Sequence, residues 1–404
     1  MKYLLTAFCA FVLFSCSDDD HSGDNPESDI ASRTVIIYIS GENSLSSFAP
    51  GDLSEMAEAS TAIGGNNHLV VFFDNASSTQ MPYIAELKNG EVVKDKQYEE
   101  DFLASDPDRM REVLTYIMQR WPAKSYGIDL WGHASGWLIT GDTIATTQAA
   151  TRAYGIDNGM NTTSDRGKWI NMTMMARVFE QLPGKFLFIV GDCCFFQCVE
   201  SAYELKDCAD YIFGCPSEVP GYGGAYQTII PLFFNQSATF YNDIIDTCRD
   251  MIGDESFGVP MSVIRTSALD RFAAATAKIM PELLKYDNFS GKRLVYYGVF
   301  VDDKGKKAKG YYDPLNLVLE YAADSPYRQE WENALNDLIP NRIWCRKWSA
   351  NHVQYGLDFS SFDVSEQTCS GMCMFVPQPM YESLSPNPNE SIKQMKWAKA
   401  VGLD

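Results

Sequence analysis

The sequence predicts an α/β fold, a three-layer α/β/α sandwich with a mostly parallel sheet between two layers of helices. Short runs that are almost continuously apolar recur along the chain, bounded by Gly, Asp or Asn. Longer amphipathic runs with helix-capping residues lie between them. The chain of 404 residues, 46% hydrophobic and 13% aromatic, has the composition of a globular protein able to bury a large core. Strand and helix in alternation imply parallel strands covered on both faces.

The first strand is "RTVIIYIS" (33–40), followed by a helix over 50–62 and a second strand, "HLVVFFD" (68–74). The next helix, 106–121, opens with Asp106 as cap and Pro107 in the first turn. "YGIDLWG" (126–132) is the third strand. A polar stretch without periodicity, Gly141 to Asn171, follows; Arg152, Arg166 and Lys168 are expected to be exposed in it, and loops of that length are usually functional or disordered. A helix over 171–182 leads to "FLFIVG" (186–191), then a helix over 195–207 and "DYIFGCP" (210–216). After about Met261 the pattern weakens. "MSVIRTSALDRFAAATAKI" reads as strand then helix, "VYYGVFVDDKGKKAKGYYDP" as a hairpin or a long loop, and "SGMCMFVPQP" as a late strand. Residues 33–404 are thus expected to form one domain whose C-terminal extension begins at about 261.

The N-terminus predicts export. Lys2 precedes an apolar stretch that ends at "LFSC", in the order of a cleavable signal and too short to span a membrane. Leu13-Phe14-Ser15-Cys16 resembles a bacterial lipobox, which makes 1–16 a lipoprotein signal peptide and Cys16 the lipidated residue; an ordinary signal with an incidental cysteine is the alternative. Residues 17–32 read as a flexible acidic linker, and Ser17-Asp18-Asp19-Asp20 resembles the export tags of surface lipoproteins in Bacteroides-type bacteria. The expected location is the cell envelope, at the outer membrane or surface, with the lipid as the membrane contact. A net charge of −20 excludes a nucleic-acid partner, which needs a basic footprint.

Two of the eleven cysteines belong to the leader, and nine remain: Cys193, Cys194, Cys198, Cys208, Cys215, Cys248, Cys345, Cys369 and Cys373. An odd number outside the cytoplasm implies an unpaired thiol. Their spacing matches no zinc site, and Cys369-x-x-x-Cys373, with no histidine nearby, reads as small core residues on a strand.

In a parallel sheet, ligands bind beyond the carboxyl ends of the strands. His133 lies just past the end of "YGIDLWG" and Cys194 just past the end of "FLFIVGD", so residues 61 apart in sequence are candidates for one site. That is the arrangement a cysteine nucleophile and a histidine base require. A helix beginning at 195 would also favour a thiolate at Cys194 through its free amides and dipole. A core histidine and packing cysteines are the other reading.

These residues resemble the clostripain-like cysteine peptidases, relatives of the caspase, legumain and gingipain group. That family is recognised by an apolar strand ending in His-Gly and another ending in Asp-Ala-Cys. Here they stand as "LWGHASGW" and "GDCCFFQCVESAYELKDCADYIFGCPSEVPGYG", with weaker agreement from "VIIYISGENSL" through "SALD" to "SGMCMFVP". The resemblance implies a caspase-like fold and a cysteine endopeptidase acting on peptides or proteins, with His133 as general base and Cys194 as nucleophile in a dyad. It places Cys193 at the family's alanine position, as packing.

Two departures from the family pattern stand out. The glycine after the histidine is Ala134, so the oxyanion site formed by the amides of Ala134 and Cys194 requires negative φ at Ala134. Tyr222 occupies a place where members selecting basic P1 residues often carry a carboxylate. Asp192 is an S1 candidate for Arg or Lys, or else the cap of the following helix; Glu218 is a further S1 candidate, or a solvated surface residue. No metal ligand set and no EF-hand loop is present, although Asp and Glu are abundant enough for the calcium that some relatives use. A surface-anchored binding protein on a catalytically retired peptidase scaffold is the alternative function.

Overall fold

In the computed structural model, strand β1 (Arg33–Gly41) is buried along its length because its side chains alternate between two cores. Val35, Ile37 and Ile39 enter one core, and Ile36 and Tyr38 the other. The structure describes residues 30–403 apart from 78, 139–152, 160–161, 166, 222, 253–257, 291–292, 303 and 348–363. The leader, Cys16, nearly all of the linker, Arg152, Arg166 and Tyr222 therefore lie outside the described residues.

Four more strands share the double burial of β1: β2 (Asn67–Asn75), β5 (Tyr126–Gly132), β8 (Phe186–Asp192) and β9 (Ala209–Gly214). They pair in parallel in the order β9-β8-β5-β1-β2. These are the five strands predicted from the sequence, and they form the centre of a nine-stranded sheet.

The flanks are antiparallel. β3 (Tyr83–Lys88) and β4 (Glu91–Gln97) extend the sheet beyond β2, and β10 (Met261–Arg265) and β13 (Asn341–Ile343) extend it beyond β9. The β3–β4 turn is Asn89-Gly90, both with positive φ, as a two-residue hairpin turn requires. Within the stretch read as one long loop, β6 (Tyr154–Asp157) pairs with β7 (Lys168–Ile170), and Lys168 is exposed. β11 (Tyr296–Val301) and β12 (Lys307–Tyr312) form a separate hairpin.

Helices cover both faces. α1 (Ala49–Ala59) and α6 (Phe240–Ile252) close one core, while α2 (Pro107–Arg120), α3 (Met172–Phe179) and α7 (Leu269–Leu283) close the other. Asp106 caps α2, its side chain accepting the amides of Asp108 and Arg109 at 2.9 and 3.1 Å.

Two expectations fail. The helix predicted over 195–207 is only α4 (Val199–Glu204), because Phe195 has φ of 55° and residues 193–197 turn instead. "SGMCMFVPQP" is buried but is not a strand; it makes single bridges through Cys373 and Met374. Among the described residues no helix is long and apolar enough to cross a membrane.

The β5–β8 pairing has a local lock. Gly127 lies opposite Phe188, and a Cβ on Gly127 would fall 2.2 Å from the Phe188 ring. Gly127→Ala is therefore expected to destabilise the fold by about 1–3 kcal/mol in urea unfolding. Phe188→Leu in the same chain should recover part of the loss, and an unchanged midpoint in Gly127→Ala would show that the ring can move aside.

Candidate active site

Trp131 of β5 and Asp192 of β8 are register partners on neighbouring parallel strands. His133 and Cys194 each lie two residues beyond that pair. Because such strands run about 4.8 Å apart, the two residues leave the sheet from adjacent strands at the same end.

The imidazole is held from one side. Its Nε2 is 3.0 Å from the Ser44 hydroxyl and 3.5 Å from Asp165 Oδ1, while the Ser44 amide donates to the same Asp165 oxygen at 2.9 Å. The hydrogen bond to His133 is the main cause that draws the Asp165 carboxyl down to about 2, against its partial burial. Nδ1 is the ring nitrogen turned away from that pair. Ser44 follows the carboxyl end of β1 and Asp165 precedes β7 of the separate β6–β7 hairpin, so the ring is held by residues from two elements.

The Cys194 sulfur accepts the Val219 amide at 3.4 Å. Burial pushes the thiol up to about 12, the Val219 amide acts in the opposite direction, and the charge of Glu218 adds to the rise. The helix entrance expected to favour a thiolate is not at Cys194, because α4 begins at Val199, five residues further on. Cys193 is fully buried and packs.

Ala134 does not have positive φ; among the described non-glycine residues only Asn89, Phe195 and Tyr311 do. Ala134 bridges to Tyr154 through Ser135 N–H to Ala153 O (3.1 Å) and Gly155 N–H to His133 O (2.8 Å). That bridge does not use the Ala134 amide.

Asp192 caps nothing, since no helix starts near it. Its carboxylate accepts the Tyr226 hydroxyl, and burial raises its pKa. Beside it, Asp129 is likewise raised by burial, and Asp52 on α1 accepts Trp131 Nε1 at 2.9 Å and is pushed by burial to about 6. A Cβ on Gly223 would lie 2.6 Å from the Tyr226 hydroxyl and 3.1 Å from Asp52 Oδ2, so these groups gather under the 223 turn. Glu218 is half-buried, near enough to Cys194 for its charge to act on the thiol.

The sequence reading missed Ser44, Asp52, Asp165, Tyr226 and Tyr311. Tyr311 joins the two site loops: its ring stacks on Phe195 with centroids 4.5 Å apart, and its hydroxyl donates to Ser135 O at 2.9 Å. Both Phe195 and Tyr311 hold positive φ, 55° and 53°. Among the described residues no group of three or more His, Cys, Asp or Glu side chains is arranged to hold a metal ion.

The family model described as the clostripain family, Peptidase C11, matches residues 37–339. The chain belongs to the clostripain family. It is a cysteine peptidase. Three solved structures resemble this clostripain-family chain in fold. One is a secreted C11 cysteine protease from Bacteroides thetaiotaomicron in complex with an irreversible peptide inhibitor, at 24% identity and TM-score 0.71, covering 92% of this chain and 99% of that one. Another is an inactive zymogen C11 protease from Parabacteroides distasonis, at 23% identity and TM-score 0.71, covering 92% and 98%. The third is the secreted C11 protease iotapain from Bacteroides thetaiotaomicron, at 19% identity and TM-score 0.70, covering 92% and 99%. No curated protein matches the chain.

The buried acids of this clostripain-family fold make its stability depend on pH. Burial pushes Asp52 to about 6, Glu200 to about 8 and Glu42, beside Asp157, to about 9. The unfolded chain ionises such carboxyls above about pH 4, while the fold keeps them protonated up to their raised values. The folded state therefore binds more protons in between, and stability falls as pH rises from about 4 through 9. The urea midpoint is expected to be higher at pH 5 than at pH 8, with a smaller difference in Glu200→Gln; a midpoint that rises with pH would contradict this assignment.

Proposed function

We propose that the protein is an exported endopeptidase that cleaves peptide bonds with Cys194 as nucleophile and His133 as general base. The observation that carries this reading is the register: both residues stand two positions beyond the Trp131–Asp192 pair, at adjacent strand ends. Nδ1 of His133 takes the proton from the Cys194 sulfur, and the sulfur attacks the scissile carbonyl carbon. The amides of Ala134 and Cys194 hold the developing oxyanion. As the C–N bond breaks, the imidazolium returns its proton to the leaving amine and an acyl-enzyme remains. Water then gives a proton to His133, its oxygen attacks the acyl carbon, and the acid leaves with the thiol restored. Asp165 and Ser44 would keep the ring in the orientation that presents Nδ1.

The export reading places 1–16 as signal peptide, Cys16 as lipid anchor, 17–32 as linker and 33–404 as the peptidase domain. It is supported by the order of the leader and by two structural relatives that are secreted proteases.

In the same reading, Asp192 lines S1 and selects Arg or Lys at P1. Asp52 and Asp129 lie near it as further acids that an incoming cation would ionise, and the Tyr226 hydroxyl donates to Asp192. Glu218, whose charge acts on the Cys194 thiol, is the second S1 candidate.

Cys194→Ala is expected to lower hydrolysis of a peptide substrate by at least about a thousandfold. Cys193→Ala should remain active and should still be labelled by an irreversible thiol-directed peptidyl probe. An active, well-folded Cys194→Ala would refute the mechanism. For specificity, the parent is expected to cut a mixed peptide library mainly after Arg and Lys, with Asp192→Asn losing about tenfold or more of that preference. Cleavage after uncharged residues in the parent, or an unchanged preference in the variant, would remove Asp192 from S1.

A further inference from the structure

Four residues after the nucleophile, Cys198 lies beneath the site and meets Cys373 from the C-terminal segment. Both are buried, at 0% and 1% exposure, and their sulfurs are 2.8 Å apart. The backbone fixes that approach. The Cys373 amide donates to Gln197 O at 2.9 Å and the Val199 amide donates to Cys373 O at 3.0 Å, a parallel bridge that sets Cys198 directly beside Cys373. Neighbouring strands at about 4.8 Å fall within the Cα separation that a disulfide spans. The Cys198 thiol also faces Phe195 O at 3.0 Å, and a Cβ on Gly136 in the base loop would lie 3.2 Å from its sulfur. Cys208 and Cys215 are directed elsewhere, to Ala176 O and to the Ser217 hydroxyl.

We propose that Cys198 and Cys373 form a disulfide in the exported protein. The S–S bond forms as the two thiols give up two electrons and two protons to a disulfide-bearing oxidant of the extracytoplasmic space, which leaves as a dithiol. The bond links positions 175 apart in sequence and ties the C-terminal segment to the turn that carries Cys194. Closing so long a loop restricts the unfolded chain strongly. The link also holds the turn containing Phe195 with its positive φ, so the base loop, the nucleophile turn and the C-terminal segment are fixed to one another. The inference rests on the extracytoplasmic placement proposed above and is independent of the catalytic roles of His133 and Cys194.

Two preparations of the full chain test it: one from the envelope fraction of acid-quenched cells, the other refolded in a buffer of reduced and oxidised glutathione. Each is denatured, alkylated without reductant and digested for mass spectrometry. The expected result in both is a joined Cys198–Cys373 peptide two hydrogens lighter than its thiol components, with Cys194 recovered alkylated. Separate alkylated Cys198 and Cys373 peptides from both preparations, or either residue joined to Cys215, would overturn the proposal. A joined peptide after refolding but not from cells supports the pair and refutes its formation in the cell. Dithiothreitol should lower the melting temperature of the parent by about 5 °C. Cys373→Ala should lack that reductant-dependent shift, and an equal shift in the variant would assign it to another cause.

Discussion

The parallel pairing of β5 with β8 is the constraint on which the rest of the site depends. Side chains alternate along a strand with period two, so a slip of one residue would turn His133 or Cys194 to the opposite face. The register is set where the pairing starts. Tyr126 pairs with Phe186 and Gly127 with Phe188, an irregularity that places the Phe188 ring over Gly127, which has no Cβ to obstruct it. From there Ile128 to Trp131 run level with Ile189 to Asp192, and the two chains leave the sheet together. A core contact at the amino end of the strands thus positions the chemistry at their carboxyl end.

The loops beyond the sheet need support of their own, and it comes from far along the chain. Positive φ costs a non-glycine residue about 1–2 kcal/mol, and both Phe195 and Tyr311 accept it. Their stacked rings and the bond from Tyr311 to Ser135 O offset that cost and connect the turn that carries Cys194 to the loop that carries His133. The C-terminal half of the chain is therefore part of the site's framework: its β12 supplies Tyr311, and its β10 and β13 extend the sheet.

What the sequence made legible follows from burial. The five central strands are covered on both faces, so each shows as a continuous apolar run, and His133 and Cys194 were found because they end two of those runs. β4, with Glu91 to Lys94 exposed, has no such signature. Its turn, Asn89-Gly90, was the available signal and was passed over. The helix start was misplaced because Phe195 and Phe196 look like the apolar face of a helix. Phe196 instead packs over Gly191 and Gly214, and the Gln197 side chain donates to Ile212 O and Ser262 O inside the sheet. Ser44, Asp52, Asp165 and Tyr226 are single polar residues on separate elements. Their convergence is set by tertiary packing and leaves no spacing to read.

The acids under the 223 turn connect this packing to the proposed specificity. Among the described residues no cation contributes to the shifts of Asp52, Asp129 and Asp192, so burial dominates and all three are raised. A guanidinium or ammonium arriving among them would act against burial, because a nearby opposite charge favours the ionised form. Entry of a basic side chain would then release protons from the group. The Tyr226 hydroxyl, already donating to Asp192, would keep that carboxylate aligned while its charge changes. The same burial that makes these acids a cost to the empty fold gives an incoming cation a desolvated, pre-aligned partner, and a neutral side chain in that place would leave the cost standing.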